Sequence, residues 1–146
     1  MKSKKIYIAG HAGMVGSAIK RRLIEKGYTK IIGQTRNQLD LLDQKAVFDF
    51  MHSEKPDFVI MAAAKVGGIQ ANDTFRYDFI FENLMIQTNI VNAAVNAGIT
   101  DLCFLGSSCI YPRDCSQPMC EDQLLSGPLE ATNEPYAIAK IAGIKL

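Results

Sequence analysis

Two side chains near the end of the chain have the types and spacing needed to move a proton. Tyr136 and Lys140 are four residues apart, so on a helix they share one face. A neighbouring ammonium favours the tyrosinate, and we expect it to lower the pKa of Tyr136 from its usual value of about 10. Such a phenol can exchange a proton with a carbonyl oxygen near neutral pH. Tyr-x-x-x-Lys is common by chance, but it gains weight from Gly-Ser-Ser-Cys-Ile-Tyr-Pro at residues 106–112, which ends a predicted strand where ligands of parallel sheets bind.

Three glycines near the start of the chain have the spacing of a phosphate-binding turn. Gly10 allows a tight turn, Gly13 lets backbone approach a pyrophosphate, and Gly16 lets a helix pack closely on the strand before it. The N-terminus of that helix offers free N–H groups and a partial positive charge. We therefore predict a dinucleotide site that also includes Ala12, Met14 and Val15. The alternative is an ordinary glycine-rich turn.

The residues after the second predicted strand bear on which dinucleotide binds. NAD enzymes place an acidic residue here, about 20 residues past the glycines, on the ribose 2′-hydroxyl. Gln34-Thr35-Arg36-Asn37 contains no acid, and Arg36 could instead hold a 2′-phosphate through a bidentate contact. This favours NADP(H) as the cofactor. A solvated surface arginine is the alternative.

Short apolar runs alternate with helical patterns along the whole chain. Strands are predicted at residues 5–9, 30–35, 57–63 and 101–106, and helices at 14–26, 44–53, 74–97 and from 136 onward. Gly27 and Gly98 end two of the helices, and Asp43 is the predicted N-cap of the second one. Continuous apolar strands between helices are typical of a parallel sheet covered on both faces. The fold class is therefore α/β, with a Rossmann-type doubly wound sheet and a long polar loop at residues 112–134.

Length, charge and cysteine spacing exclude several classes of protein. A chain of 146 residues predicts one domain, and its net charge of +1 gives no reason to expect binding to nucleic acid or to a membrane surface. No apolar run reaches the length of about 18 residues that a transmembrane helix needs. None of the four cysteines forms a Cys-x-x-Cys pair, so no metal site is predicted. We expect a cytoplasmic protein.

The order of these motifs resembles that of the extended short-chain dehydrogenase/reductases. The resemblance rests on the G-x-x-G-x-x-G spacing, Ala62-Ala63-Ala64, Ser107 four residues before Tyr111, and the Tyr136/Lys140 pair. It implies that Ser107 hydrogen-bonds a substrate carbonyl, that Tyr136 protonates it, and that Lys140 binds the nicotinamide ribose. It also places a further set of residues at the cofactor: Asn37, Asp40, Leu41, Ala63, Leu105 and Gly106. Asn83 is a looser match to an asparagine of the long helix.

Four segments resemble one branch of this family in more detail. They are residues 13–19, 63–69, 106–112 and 134–140. That branch epimerises carbons 3 and 5 of GDP-4-keto-6-deoxy-D-mannose and then reduces C4 with NADPH. The resemblance makes Cys109 the epimerisation base, because the C4 ketone acidifies the neighbouring C–H bonds and a thiolate can accept the proton. A small buried apolar side chain is the other interpretation of Cys109.

Other functions stay open at this point. The chain could belong to another epimerase, dehydratase or reductase of nucleotide sugars, or to a dinucleotide sensor without enzymatic activity. Lys65 could approach substrate or cofactor, or could be a solvated loop lysine. His11, His52, Cys115 and Cys120 have no assigned role, and Cys103 is expected in the core.

The resemblance also bears on length and assembly. Family members are more than twice as long, and their later half supplies a catalytic histidine and the GDP contacts. We therefore expect residues 1–146 to form the NADP-binding domain only, to lack the substrate domain, and to be inactive alone. A homodimer through the long helix, as in similar enzymes, is expected from the apolar residues Phe75, Phe79, Ile86 and Ile90, and packing of these residues in the core is the alternative.

Overall fold

Four parallel strands form a single sheet in the computed structural model, which describes residues 2–146. They are β1 (Ile6–Ala9), β2 (Ile31–Ile32), β3 (Phe58–Met61) and β4 (Leu102–Phe104), in the order β2-β1-β3-β4. Ile6 lies opposite both Ile31 of β2 and Phe58 of β3, and Ile60 lies opposite Cys103 of β4. The predicted parallel α/β sheet is confirmed.

The two faces of the sheet are covered by different helices. Ile6, Ile8 and Ile60 pack with Ile19 and Leu23, which belong to α1 (Met14–Glu25). The opposite face is larger: Tyr7, Ala9, Val59 and Met61 pack with Val47 and Met51 of α2 (Gln44–Glu54) and with Ile90 and Ala93. Because successive strand residues point to opposite faces, one four-residue strand supplies both cores. This is the doubly wound arrangement that the sequence predicts.

Strand β2 is shorter than predicted. Residues 30–35 were expected to be extended, but only Ile31 and Ile32 pair with β1. At the next position, a Cβ on Gly33 would lie 2.4 Å from Cγ of His11. The His11 ring therefore occupies the space where a strand side chain would stand, and the chain leaves the sheet there.

The long predicted helix is divided in two. Instead of one helix over residues 74–97, α3 (Ile69–Thr74) is followed by α4 (Arg76–Asn96). Phe75 separates them with φ −106° and ψ 44°, outside the helical region. The predicted beginning was wrong because α3 starts its own turn at the Gly67–Gly68 pair, with Gly68 as its N-cap. The predicted ending is confirmed, since Gly98 follows α4 with φ +72°.

The chain divides into two units. The sheet unit contains the chain up to Ala64 and Met85–Leu105, and the loop–helix unit contains Lys65–Leu84 and Gly106–Leu146. The second unit includes a 3-10 turn (Ser108–Ile110), the long polar loop and α5 (Glu134–Lys145). No helix within residues 2–146 combines the length and apolar character needed to cross a membrane.

Candidate functional site

The glycine turn of the sheet unit lies directly after β1. Gly10 has φ +81°, and a Cβ at that position would come within 2.7 Å of the Ala63 nitrogen, which follows β3. At Gly16 a Cβ would lie 2.1 Å from the carbonyl oxygen of Gly10. Both positions therefore require glycine, one for its backbone angle and both for space.

The glycine turn ends at an open helix N-terminus. Gly13 is the N-cap of α1, and a Cβ there would meet only the Gly10 oxygen, at 3.4 Å. No acidic residue lies in the first turn, and Met14 and Val15 are 86% and 45% exposed. The first N–H groups of a helix have no intrahelical partner. This turn therefore presents backbone donors and open space to an anion, as the dinucleotide prediction requires.

The residues predicted to select the cofactor follow the neighbouring strand ends of the same unit. Arg36, Asn37 and Asp40 are exposed after β2, and Leu41 is half-buried beside them. Leu105 donates its backbone N–H to Met61 at the end of β4. In open parallel sheets ligands bind beyond the carboxyl ends of strands, next to the strand where the winding direction reverses. The sheet unit therefore brings the predicted cofactor residues to one edge, except Gly106 and Lys140, which belong to the loop–helix unit.

One residue that fastens this edge was missed from the sequence. Asn89 of α4 is 2% exposed, and its Nδ2 donates to the carbonyl oxygens of Leu41 and Leu42 at 2.9 and 3.3 Å. It thereby attaches the segment after β2 to a rigid helix. A polar residue on the apolar face of a helix was the available signal, but its partner lies 47 or 48 residues earlier in the chain.

A cleft of about 180 Å³ lies within the loop–helix unit. Three of the predicted catalytic side chains, Ser107, Cys109 and Tyr136, line it. The other lining residues are Val66, Gly67, Asn72, Phe79 and Asn133. The structure thus brings together residues that are 27 to 29 positions apart in the sequence.

Ser107 connects the reactive groups of the cleft. It is the N-cap of the 3-10 turn, and its Oγ lies 3.1 Å from Cys109 Sγ, which donates to it. A hydrogen bond from Ser107 also acts to lower the pKa of Tyr136. The hydroxyl therefore stands between the thiol and the phenol, where it can donate to an oxygen that lies near both.

The pKa of Tyr136 moves in the direction opposite to the one expected. It is raised above its usual value, chiefly because the side chain is half-buried and further because of the negative charge of a Cys109 thiolate. The expected net lowering is wrong, because burial of the phenol outweighs the lowering effects, although the Lys140 Nζ atom lies over the ring, 5.7 Å from its centroid. Lys140 itself is only 4% exposed, and burial lowers the pKa of its ammonium. The phenol of Tyr136 is therefore protonated at neutral pH.

The beginning of α5, two residues before Tyr136, is held by one ion pair and several hydrogen bonds. Arg76 donates to the Ala131 carbonyl oxygen at 2.7 Å and to Glu134 at 3.2 Å. Glu130 accepts from the Thr132 hydroxyl and from the Asn133 N–H, and the Thr132 hydrogen bond is the main cause that lowers the pKa of Glu130. These contacts fix the turn that aims α5, and sequence reasoning missed them.

Lys65 and Asn83 have structural partners in the same unit. The Lys65 ammonium pairs with Glu82 at 3.0 Å, and Lys65 is not among the residues that line the cleft. The buried amide of Asn83 accepts from the Lys65 N–H at 2.9 Å and donates to the carbonyl oxygens of Lys65 and Phe79. Both residues hold the loop that forms one wall of the cleft.

The histidines and remaining cysteines lie away from the cleft lining. His11 packs on Gly33, and the His52 ring packs on Phe48 at 4.2 Å. Cys103 is in β4 as predicted, whereas Cys115 and Cys120 are in the polar loop. Within residues 2–146 no three His, Cys, Asp or Glu side chains are grouped as metal ligands.

Known proteins resemble this chain over its whole length. A GDP-L-fucose synthase from Escherichia coli (strain K12) is 58% identical over 146 residues, which cover 100% of this chain and 46% of that protein. A GDP-L-colitose synthase from Yersinia pseudotuberculosis is 43% identical over 142 residues, 97% of this chain and 46% of that protein. The solved structure of a GDP-mannoheptose C4 reductase from Campylobacter jejuni with NADP bound has a TM-score of 0.94 and 40% identity, over 98% of this chain and 45% of that one.

A family assignment comes from a separate comparison. The chain spans about half the length of the curated relatives it matches. The sequence pattern of the NAD-dependent epimerase/dehydratase family matches residues 6–146, from β1 to the end of the chain. The glycine turn, the parallel sheet and the Ser–Tyr–Lys residues all lie within that range. The chain therefore belongs to the NAD-dependent epimerase/dehydratase family.

Proposed function

We propose that the protein converts GDP-4-keto-6-deoxy-D-mannose to GDP-L-fucose by 3,5-epimerisation and NADPH-dependent 4-reduction. The observation that carries the proposal is the grouping of Ser107, Cys109 and Tyr136 around one cleft. An acid, a hydrogen-bond donor and a thiol together suit a reaction that both moves protons on carbon and reduces a ketone. The 58% identity to a GDP-L-fucose synthase supports the same substrate.

The residues of the sheet unit fit a bound NADP(H). At the α1 N-terminus a pyrophosphate would accept hydrogen bonds from the backbone N–H groups. A side chain at Gly13 would occupy part of the open space that the pyrophosphate needs. Exposed Arg36 follows β2, where it would pair with the 2′-phosphate, and Asp40 and Leu41 would lie beside the adenine. When bound, the cofactor supplies the hydride that reduces C4. The similar GDP-mannoheptose C4 reductase from C. jejuni was solved with NADP bound, which supports this assignment.

The reduction requires a proton on the C4 oxygen. In this proposal Ser107 donates a hydrogen bond to that oxygen and Tyr136 gives it a proton as the hydride arrives at carbon. The raised pKa of Tyr136 keeps the phenol protonated at neutral pH, as this role demands. Lys140 would bind the nicotinamide ribose from its buried position on α5.

The epimerisation requires a base beside the same ketone. Cys109 would remove the proton from C3 or C5, and the resulting enolate oxygen at C4 would be stabilised by Ser107 and Tyr136. The Cys109–Ser107 separation of 3.1 Å places base and stabiliser next to each other. Return of a proton to the opposite face needs an acid, and no histidine of the described residues lines this cleft.

Deuterium exchange tests the proposed base separately from the reduction. In D₂O without NADPH, the full-length protein should introduce deuterium at C3 and C5 of the keto sugar. The Cys109→Ser variant should lose this exchange by about 100-fold or more, whereas Cys103→Ser, in strand β4, should retain it. Unchanged exchange in Cys109→Ser would refute the role of the thiol.

A second candidate is a nucleotide-sugar reductase without epimerase activity. The 40% identity to a GDP-mannoheptose C4 reductase favours it, since ketone reduction needs the hydride of NADPH, the hydrogen bond of Ser107 and the proton of Tyr136 but no base. This candidate predicts NADPH-dependent reduction with no deuterium at C3 or C5. A dinucleotide sensor would show neither reaction.

Assembly and compartment belong to the same proposal. We place the protein in the cytoplasm, where reducing conditions keep Cys109 a thiol.

A homodimer through α4 would use its exposed aromatic residues: Tyr77 is 69% exposed and stacks on Phe81 at 5.3 Å. Two of the residues expected at the dimer contact, Phe79 and Ile90, are instead buried in the core. Light scattering of the protein and of Tyr77→Asp tests the assembly, and an unchanged mass would exclude this surface.

A further inference from the structure

Asn72 lines the cleft, and only the nitrogen of its side-chain amide has hydrogen-bond partners. Its Nδ2 atom donates to the carbonyl oxygens of Gly67 and Gly68 at 2.9 and 3.1 Å. Its Oδ1 atom is buried and has no hydrogen-bond partner, although the whole residue is only 6% exposed. The two donated bonds fix the orientation of the amide, because a flip would turn the oxygen toward two carbonyl oxygens.

A buried acceptor without a partner is costly, so its position needs a reason. Leaving such a group unpaired costs a protein more than the net gain of an ordinary hydrogen bond. Asn72 lines the cleft together with Ser107, Cys109 and Tyr136. The volume of about 180 Å³ is below that of a typical pocket for a complete ligand, and it suits one ring of a ligand.

We propose that Asn72 Oδ1 accepts a hydrogen bond from a ring hydroxyl of the keto sugar, at C2 or C3, and so selects sugars that carry it. This inference rests on the proposed function and adds a specificity-determining residue to it. Asn133 supports the proposal, because this residue lines the same cleft and its Oδ1 is also buried without a partner. The cleft thus offers acceptors to a sugar hydroxyl in addition to the groups that act on the ketone.

The chain contains a matched control for Asn72. Asn83 is another buried asparagine that holds the same loop, but both ends of its amide have partners in the protein. Asn83 does not line the cleft. Its replacement should disturb the loop without removing an acceptor for the sugar.

The test is a cycle of variants and substrate analogues on the full-length protein. Turnover of GDP-4-keto-6-deoxy-D-mannose is compared with that of its 2-deoxy and 3-deoxy analogues, in the unsubstituted protein, Asn72→Ala and Asn83→Ala. We expect one analogue to lower kcat/KM by about 10- to 100-fold in the unsubstituted protein and in Asn83→Ala. In Asn72→Ala the same analogue should lower it by less than about threefold.

Each outcome decides the matter. Equal losses in all three proteins, or no loss with either analogue, would overturn the role of Asn72 while the proposed function stands. No turnover of the parent sugar by the unsubstituted protein would overturn both. If Asn72→Ala does not fold, Asn72→Leu takes its place in the cycle, since leucine has nearly the shape of asparagine and no hydrogen-bond acceptor.

Discussion

The glycine turn of the sheet unit offers backbone atoms to a ligand, whereas the cleft of the loop–helix unit offers side chains. In the turn, the useful groups are backbone N–H donors, and the side chains at Gly10 and Gly16 are absent because no room exists for them. In the cleft, the useful groups are the side chains of Ser107, Cys109 and Tyr136, held by a 3-10 turn and a helix. Substitutions that add side-chain atoms should therefore impair the glycine turn, and substitutions that remove side-chain atoms should impair the cleft.

The difference also appears in the surroundings of the two regions. The α1 N-terminus is open to solvent and has no acidic residue in its first turn. The cleft is partly buried, and burial is the main cause of the shifted pKa values of both Tyr136 and Lys140. An open turn without acidic residues suits the proposed binding of a charged group, and a partly buried cleft suits the proposed transfer of a proton.

Removal of the Tyr136 hydroxyl should have the largest effect on the cleft. We expect Tyr136→Phe to lower kcat for ketone reduction by about 10²- to 10⁴-fold, the usual contribution of a general acid. The affinity for NADPH should change by less than about twofold, because the glycine turn is untouched. Stopped-flow NADPH oxidation and fluorescence titration measure the two quantities. Reduction at the normal rate would mean that the phenol is not the acid.

An added methyl group should have the largest effect on the glycine turn. Gly16→Ala places a Cβ 2.1 Å from the Gly10 oxygen, and the forced backbone shift should lower the free energy of unfolding by about 1–3 kcal/mol. Gly13→Ala, where the nearest atom is 3.4 Å away, is the control and should cost less than about 1 kcal/mol. Urea denaturation measures both. Equal losses in the two variants would contradict the packing explanation.

Replacement of Arg36 tests the charge at the edge of the sheet unit. Arg36→Ala should weaken NADPH binding by about 10- to 100-fold, the value of a charge-assisted contact, and leave NADH binding unchanged. Arg21→Ala, another exposed arginine of the sheet unit, is the control and should change neither affinity. If the unsubstituted protein binds NADPH and NADH equally, the 2′-phosphate contact is absent.

The pH profile is the smallest of the expected effects. In the proposed mechanism the reduction uses the protonated phenol, so its rate should be flat near neutrality and should fall only when Tyr136 loses its proton. Because burial raises the pKa of Tyr136, that fall should occur above about pH 10. A fall between pH 7 and 9 that Tyr136→Phe abolishes would contradict the direction of the shift. The measurement is kcat at saturating substrate across the alkaline range.

Much of this structure can be predicted from the sequence, and the reason differs between its parts. Gly10, Gly13 and Gly16 are predictable because their spacing follows from the local turn, and Asp43 is confirmed as the N-cap that accepts from Ala46 at 3.0 Å. The break at Phe75 was not predicted, because the apolar pattern continues through it. A separate short helix begins after Gly68 and ends before Phe75, whose backbone angles lie outside the helical region.

Contacts between distant parts of the chain account for the rest. Asn89 is 47 or 48 residues from the carbonyls that it holds, and Arg76 is 55 residues from Ala131. The pKa of Tyr136 was predicted in the wrong direction, because spacing along a helix places Lys140 nearby but does not say how deeply both are buried. Burial depth and long-range contacts depend on how the chain packs, and the spacing of residues along the sequence does not determine that packing.

The central claim is that the glycine turn binds the cofactor and the cleft moves protons. It is tested most directly by kcat at saturating NADPH for Gly13→Ala and Tyr136→Phe, measured side by side. We predict that excess NADPH restores Gly13→Ala to within about twofold of the unsubstituted kcat, since only binding is impaired. Tyr136→Phe should stay at least about 100-fold slower at every NADPH concentration. A kcat of Gly13→Ala as low as that of Tyr136→Phe, or recovery of Tyr136→Phe by excess cofactor, would contradict the account.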